Sequence, residues 1–170
     1  MAISWNIAWS GAAVALGLLA APAGAQPVTR LNLDNPAIAI AEAVIVPPGY
    51  TTYYISGIPA GPRDPNAPDM SPTRWGNTAQ QTGDALDKIE ATLAKLGLTF
   101  GDVARATVFL AGDPAFGGDV DFHAMNGEWA KRFGTASQPN KPARSTIQAG
   151  LATPGALVEI QIIAVKKVRR

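Results

Sequence analysis

The chain has 170 residues, 47% of them hydrophobic, which suits a single compact domain with a core of its own. It has no cysteine and one histidine, His123, so disulfides, thiolate chemistry and a multi-histidine metal site within one chain are excluded. The net charge of +1 gives no whole-molecule reason to expect nucleic acid or an anionic membrane as a partner.

An apolar run lies near the amino terminus. Residues 11–21 read GAAVALGLLAA, and an Ala-Gly-Ala sequence at 23–25 precedes Gln26, a pattern typical of a secretory signal peptide and its cleavage site. We therefore predict that residues 1–25 are removed and that the mature protein is periplasmic or secreted, without stable membrane association. The run follows a segment without lysine or arginine, so a retained anchor is the alternative, although a membrane span needs ~20 apolar residues.

The first half of the mature chain indicates β-structure. Residues 26–36 are predicted to be an extended lead-in to a single domain at 37–170. Residues 37–46, AIAIAEAVIV, alternate and predict a strand, and residues 51–55 predict a second one. Because only a Pro-Pro-Gly turn separates them, the two strands are predicted to pair as a hairpin.

A proline-rich segment and a helix follow. Five prolines between residues 58 and 75 predict a long surface loop, because proline supports neither helix nor sheet hydrogen bonding. Residues 77–96 predict an amphipathic helix that ends at Gly97. Its apolar face has residues at steps of three and four: Leu86, Ile89, Leu93 and Leu96.

Residues 103–110, VARATVFL, predict a third strand, and residues 121–133 a second helix that ends at Gly134. The apolar stripe of this helix is expected to face the core: Phe122, Met125, Trp129 and Phe133. Asn126 lies beside the stripe, where a partly exposed polar residue is the simplest interpretation.

The last thirty residues contain two apolar runs, 141–150 and 156–165, on either side of a Thr-Pro-Gly turn, and this pattern predicts paired strands. Each run carries one charged residue in its interior, Arg144 and Glu159, and burying either charge alone is costly. Our hypothesis is that the two line one polar site. The alternative is a buried ion pair that holds a subunit interface.

The predicted order is strand, strand, helix, strand, helix, strand, strand. Antiparallel hairpins with two helices on one sheet face make an α+β sandwich. The other face still has isoleucine, valine and tyrosine to cover, and self-association is the natural way to cover it.

Several motifs, in order, resemble the Rid (YjgF/RidA) family of reactive-intermediate deaminases from about residue 37 to 165. They are ISG-I-P at 55–59, GL at 97–98, GDVARATVFL at 101–110, DF-x-x-x-N at 121–126, PARS at 142–145 and VEIQIIAV at 158–165. The resemblance implies a chorismate-mutase-like α+β sandwich, with a mixed β-sheet, two helices on one face and assembly as a homotrimer.

The resemblance also implies a site. Arg144 is expected to hold a substrate carboxylate, and Glu159, fifteen positions on, to position or activate water. The remaining residues expected to bind substrate are Asn126, Thr146, Ile40, Ser56 and Gly57. No metal and no cofactor is implied.

Two functions are compatible with these residues. The first is hydrolytic deamination of reactive 2-imino acids to 2-oxo acids and ammonia, for which a carboxylate clamp and one acid/base carboxylate suffice. The alternative is a non-catalytic binder of small carboxylate metabolites that uses the same intersubunit cleft. In the resemblance, Ile40 stands where imine-hydrolysing members have tyrosine, and Glu42 stands in place of the usual glutamine. Ile40 and the predicted export favour the alternative.

Overall fold

The computed structural model describes residues 26–168, and the predicted signal segment lies outside the described residues. One mixed sheet dominates the fold. Its strands are β1 (Thr29–Asn32), β2 (Ala41–Ile45), β3 (Tyr50–Pro59), β4 (Val103–Leu110), β5 (Ala143–Gln148) and β6 (Val158–Lys167). They lie in the order β1-β2-β5-β4-β6-β3, with β5 parallel to both of its neighbours and all other pairs antiparallel. The predicted α+β class with a mixed sheet is confirmed.

Two helices cover one face of this sheet, α2 (Thr78–Lys95) and α3 (Phe122–Trp129), and a one-turn helix, α1 (Pro72–Trp75), precedes them. α2 begins where the sequence predicts, because Asn77 and Gln80 form a reciprocal capping box. Gly97 follows its end with a positive φ of 68°, a conformation that glycine adopts without strain. The predicted face of α2 is buried at Leu86, Ile89 and Leu93, whereas Leu96 lies beyond the helix and is exposed.

Both predicted hairpins are wrong. β2 pairs with β1 and β5, and β3 pairs with β6, more than a hundred residues away. β5 and β6 do not pair with each other either, because β4 lies between them and bonds to both. A short turn limits the distance between two strand ends, but it cannot show that β4 separates β5 from β6, or that three strands separate β2 from β3.

Three boundaries also differ from the prediction. The strand predicted at 37–46 is regular only over β2, and the lead-in contributes β1, which pairs with β2 at the sheet edge. The predicted loop at 58–75 includes the end of β3 and the helix α1, where Pro72 occupies a first-turn position that needs no N–H and Ser71 caps the turn. α3 ends at Trp129, four residues earlier than predicted.

The core lies between the helices and the sheet. Alternate residues of β6 face the helices and are almost completely buried: Val158, Ile160, Ile162 and Ala164. On α3 and just beyond it, Trp129 stacks on Phe133 with ring centroids 4.3 Å apart. The opposite sheet face is less covered, since Tyr54 is 79% and Ile147 46% exposed. Within residues 26–168, no helix is long and apolar enough to cross a bilayer.

Candidate functional site

Arg144 lies on the helix-facing side of β5, at the floor of a cavity of about 440 Å³. Its register partner in β4 is the core residue Ala106, which fixes the face to which its side chain projects. The guanidinium lies 4.8 Å from the ring centroid of Trp129 and 5.9 Å from that of Phe122. Both rings present a partly negative face to the cation, so they accommodate the charge without neutralising it.

The charge of Arg144 has no counter-ion in the part of the chain that the structure describes. Its Nη2 donates to Oδ1 of Asn126 at 2.7 Å, and its Nη1 contacts the sulfur of Met125 at 3.6 Å. Burial lowers the pKa of Arg144 to about 10, because the charged form loses hydration. The side chain is therefore a cation at neutral pH, with donor groups left over for an anion.

The wall of this cavity is the bend that leads into β2. Ala37, Ile38, Ala39 and Ile40 line it, together with Leu33 and with Phe122, Trp129 and Ala130 of the α3 region. Among residues 26–168, the charged or amide side chains in the lining are those of Arg144 and Asn126. The arrangement is a single cationic clamp in otherwise apolar surroundings.

Two side chains hold the bend in place from behind. Lys141 is 8% exposed, and its Nζ donates to the carbonyl oxygens of Pro36 and Ile38, each at 2.8 Å. The indole Nε1 of Trp129 donates to the carbonyl oxygen of Ala39, also at 2.8 Å. These three hydrogen bonds satisfy carbonyl groups of the segment just before β2, where strand pairing has not yet begun. They therefore determine the position of the cavity wall.

Glu159 lies elsewhere. It sits between the core residues Val158 and Ile160, so its side chain projects from the opposite face of the sheet to Arg144. Glu159 pairs with Phe109, which lies three residues along β4 from Ala106, the partner of Arg144. Glu159 is thus three residues along and two strands across from Arg144, which corresponds to about 14 Å between their Cα atoms. Within one chain, the two charges neither pair nor line a common cavity.

A bulge in β3 accommodates the Glu159 carboxylate. The register with β6 shifts between Ile55 and Ile58, and Gly57 lies within this irregularity. A methyl group at Gly57 would overlap Oε1 of Glu159, so the absence of a side chain there leaves room for the carboxylate. Ser56 beside it is exposed. Glu159, Gly57 and Ser56 thus form a second group on the open face.

The predicted site residues therefore fall into two groups. Arg144, Asn126 and Ile40 meet around the cavity, and Glu159 and Gly57 meet on the other face, next to Ser56. Thr146 shares the face of Arg144 but does not line the cavity, and its Oγ1 is buried with no hydrogen-bond partner among the described residues.

Sequence reasoning assigned Phe122 and Trp129 to the core only, although both line the cavity. Phe122 lies four residues before Asn126 and Trp129 three residues after it, so all three share one helix face. This spacing could have identified the two aromatic residues as part of the site. The role of Lys141 had no comparable signal, because a single lysine before a strand is ordinarily solvated.

Comparison with known proteins agrees with this architecture. The family model described as Endoribonuclease L-PSP matches residues 49–166 of the chain, well over half of its length. The chain belongs to the Rid family. The crystal structure of the Rid family protein YyfB from Yersinia pestis shares the fold, with a TM-score of 0.63 and 21% identity over 82% of this chain and 98% of that one.

Two curated relatives extend the comparison at the sequence level. A RutC family protein of Haemophilus influenzae is 34% identical over 88 residues, and the match spans 51% of this chain and 62% of the relative. Protein DfrA of Myxococcus xanthus is 33% identical over 125 residues, or 73% of this chain and 82% of that one. These similarities establish membership of the Rid family and its fold. They do not identify the reaction.

Proposed function

We propose that this Rid family protein hydrolyses 2-imino acids to 2-oxo acids and ammonia, at a site shared between two copies of the chain. The observation that carries the proposal is the uncompensated Arg144 cation at the floor of the apolar cavity. Its planar fork of donors matches a carboxylate, and Asn126 holds that fork in one orientation.

In this mechanism, Arg144 binds the carboxylate of the imino acid and leaves the C=N carbon nearer to the cavity mouth. Glu159 of a second copy accepts a proton from water as the water oxygen bonds to that carbon, and it passes this proton to the imine nitrogen. Glu159 then accepts the hydroxyl proton of the tetrahedral adduct and delivers it to the amine nitrogen, and ammonia leaves as the C=O bond forms.

A second copy is needed because of the position of Glu159. Its side chain leaves the sheet on the open face, whereas Arg144 leaves it on the helix face, so one chain supplies only half of the constellation. The open face also carries exposed apolar side chains, including Tyr54 and Ile147, as expected for a surface that another copy covers. We propose a homotrimer, the closed assembly that the resemblance to the family implies.

Mixed assemblies test the shared site. Arg144→Met and Glu159→Gln are each expected to be inactive in accelerating the decay of an imino acid that an amino-acid oxidase generates in situ. Co-expressed and randomly assembled, the two variants are expected to recover activity, because about a quarter of the sites then combine an intact Arg144 with an intact Glu159. Light scattering should give three times the chain mass. If the mixture stays inactive while both variants still assemble, the shared site is wrong.

Gly57→Ala provides a finer test of the carboxylate. The new methyl group displaces the Glu159 side chain without touching Arg144. We expect kcat to fall by about tenfold, less than the ~100-fold or more that loss of an acid/base group costs, because Glu159 is displaced and not removed. The affinity for a 2-oxo acid is expected to change little. Steady-state kinetics and calorimetry separate the two effects. An equal loss of kcat and affinity would indicate that Gly57 acts through the fold instead.

A non-catalytic carboxylate binder is the second candidate. It is favoured by the cavity itself. Among the described residues, a single chain supplies the carboxylate clamp of this cavity but no acid/base group in its lining. This function predicts that 2-oxo acids bind to wild type, that Arg144→Met abolishes binding, and that neither protein accelerates imine decay over buffer.

We also propose export, on the basis of the apolar run and the Ala-Gly-Ala sequence before Gln26. Amino-terminal sequencing of the protein from its native host is expected to begin near Gln26. Detection of Met1 in the mature protein would contradict cleavage.

A further inference from the structure

The cavity around Arg144 has an unusual division of polarity. One end carries the guanidinium and the Asn126 amide, and every other lining residue is apolar: Leu33, Ala37, Ile38, Ala39, Ile40, Phe122, Trp129 and Ala130. Within the described part of the chain, no acidic side chain and no second basic side chain lines it. A bound molecule therefore meets one charge and then a continuous apolar surface.

The hydrogen-bonding capacity is just as one-sided. Oδ1 of Asn126 already accepts from Arg144, which leaves the Asn126 amide hydrogens and the remaining guanidinium hydrogens as the donors available to a ligand. These donors lie next to each other, because Arg144 and Asn126 are hydrogen-bonded. The carbonyl oxygens of Pro36, Ile38 and Ala39 each already accept a hydrogen bond, from Lys141 or Trp129.

Size and polarity together define a ligand class. A volume of about 440 Å³ falls within the range of small-molecule sites, which is about 300–1,000 Å³. A two-carbon side group would leave much of the apolar wall in contact with water. A second carboxylate would have to lose its hydration against Leu33, Ile38 and Ile40 without a partner, and this is costly.

We infer that the cavity selects acids with one carboxylate and a medium-sized apolar side chain, and that Ile40 is a residue that determines this specificity. This inference rests on the proposed function for the role of Arg144 and adds the chemical class of the substrate. Ile40 is central because it is partly buried against the core and also lines the cavity, so its size and polarity are transmitted directly to the ligand.

The proposed mechanism points in the same direction. If Glu159 of a second copy approaches the cavity mouth, a ligand whose far end carries a second carboxylate would meet a like charge there. Repulsion would add to the desolvation cost, so both terms disfavour dicarboxylates.

Calorimetric titration with three 2-oxo acids tests the inference without requiring turnover. We expect 4-methyl-2-oxopentanoate to bind wild type at least tenfold more tightly than either pyruvate or 2-oxoglutarate. Ile40→Lys, which places a cation on the apolar wall, is expected to shift the preference toward 2-oxoglutarate. Ile40→Val is the matched control and should keep the wild-type order. The readout is a ratio of affinities, so a general weakening of binding in a less stable variant does not affect it.

The outcomes separate this inference from the proposed function. Equal affinities for the three acids, together with measurable imine turnover, would overturn the inference and leave the function standing. Selective binding of 4-methyl-2-oxopentanoate without any imine turnover would support the inference and favour the non-catalytic binder. An unchanged affinity ratio in a folded Ile40→Lys protein would remove Ile40 as a determinant of specificity. Absence of binding by all three acids would overturn the inference and the carboxylate clamp together.

Discussion

Arg144→Met is expected to lower the affinity for a 2-oxo acid by at least about 100-fold, because two charge-assisted hydrogen bonds at about 1.5 kcal/mol each are lost. Imine turnover is expected to disappear with it. Methionine keeps much of the length of the side chain and fills similar space between Trp129 and Phe122, so the cavity does not collapse. Calorimetry on wild type and variant measures the change in affinity.

The same substitution should leave the protein at least as stable as wild type. Burial lowers the pKa of Arg144 to about 10, which means that folding disfavours the charged form that is present at neutral pH. Removing the charge removes that cost, although the bond to Asn126 is lost as well. A large loss of stability in Arg144→Met would instead mark Arg144 as a structural residue.

Two controls complete the experiment. Arg144→Lys keeps the charge and loses the planar fork, so an intermediate loss of affinity, about tenfold, is expected. Arg63→Ala removes an exposed arginine that pairs with the half-buried Asp84 outside the cavity lining, and it should leave binding unchanged. A loss of affinity in Arg63→Ala equal to that in Arg144→Met would show that overall charge, and not the clamp, attracts the ligand.

Lys141→Met is expected to lower the free energy of unfolding by about 2–3 kcal/mol, since the carbonyl oxygens of Pro36 and Ile38 lose their donor in a poorly hydrated place. The alkyl stem is replaced by one of similar size, so packing against Gly134 is largely kept. Denaturant unfolding followed by circular dichroism measures the change. The affinity for 2-oxo acids should also fall, because the bend that forms the cavity wall is no longer fixed.

Lys88→Met is the matched control for this experiment. Lys88 also donates to a backbone carbonyl, that of Pro59 at 3.1 Å, but it does so once and in an exposed position. A change of less than about 0.5 kcal/mol is expected there. Similar losses in the free energy of unfolding of the two variants would show that the burial of Lys141 does not increase its contribution to stability.

The sequence is a good guide to the elements of this fold and a poor guide to their pairing. α2 and β4 are predicted to within one or two residues, because their periodicity, caps and flanking glycines are local properties. Pairing depends on which distant segments meet. The neighbours of β3 and β5 are therefore mispredicted, although both strands are correctly located.

The site shows the same division. Arg144 and Glu159 are both recognisable as charges within strands, but whether they share a face depends on the register with β4, which no local pattern contains. Asn126 and Ile40 came from the resemblance to the family, and the geometry brings both to Arg144. The role of Lys141 could not be predicted from the sequence, because it depends on hydrogen bonds to two carbonyl groups about a hundred residues earlier in the chain.

The interior position of β6 in the sheet has a consequence for how the chain folds. β6 is the last of the described strands, yet it lies between β3 and β4, so β3 stays unpaired until β6 has been synthesised. Contacts of such long range slow folding, and they leave strand edges unpaired until then. A ribosome-bound or truncated chain that lacks β6 would hold a four-stranded sheet fragment and the unpaired strand β3. The nascent protein is therefore expected to remain open, and exposed to chaperones, until β6 has left the ribosome.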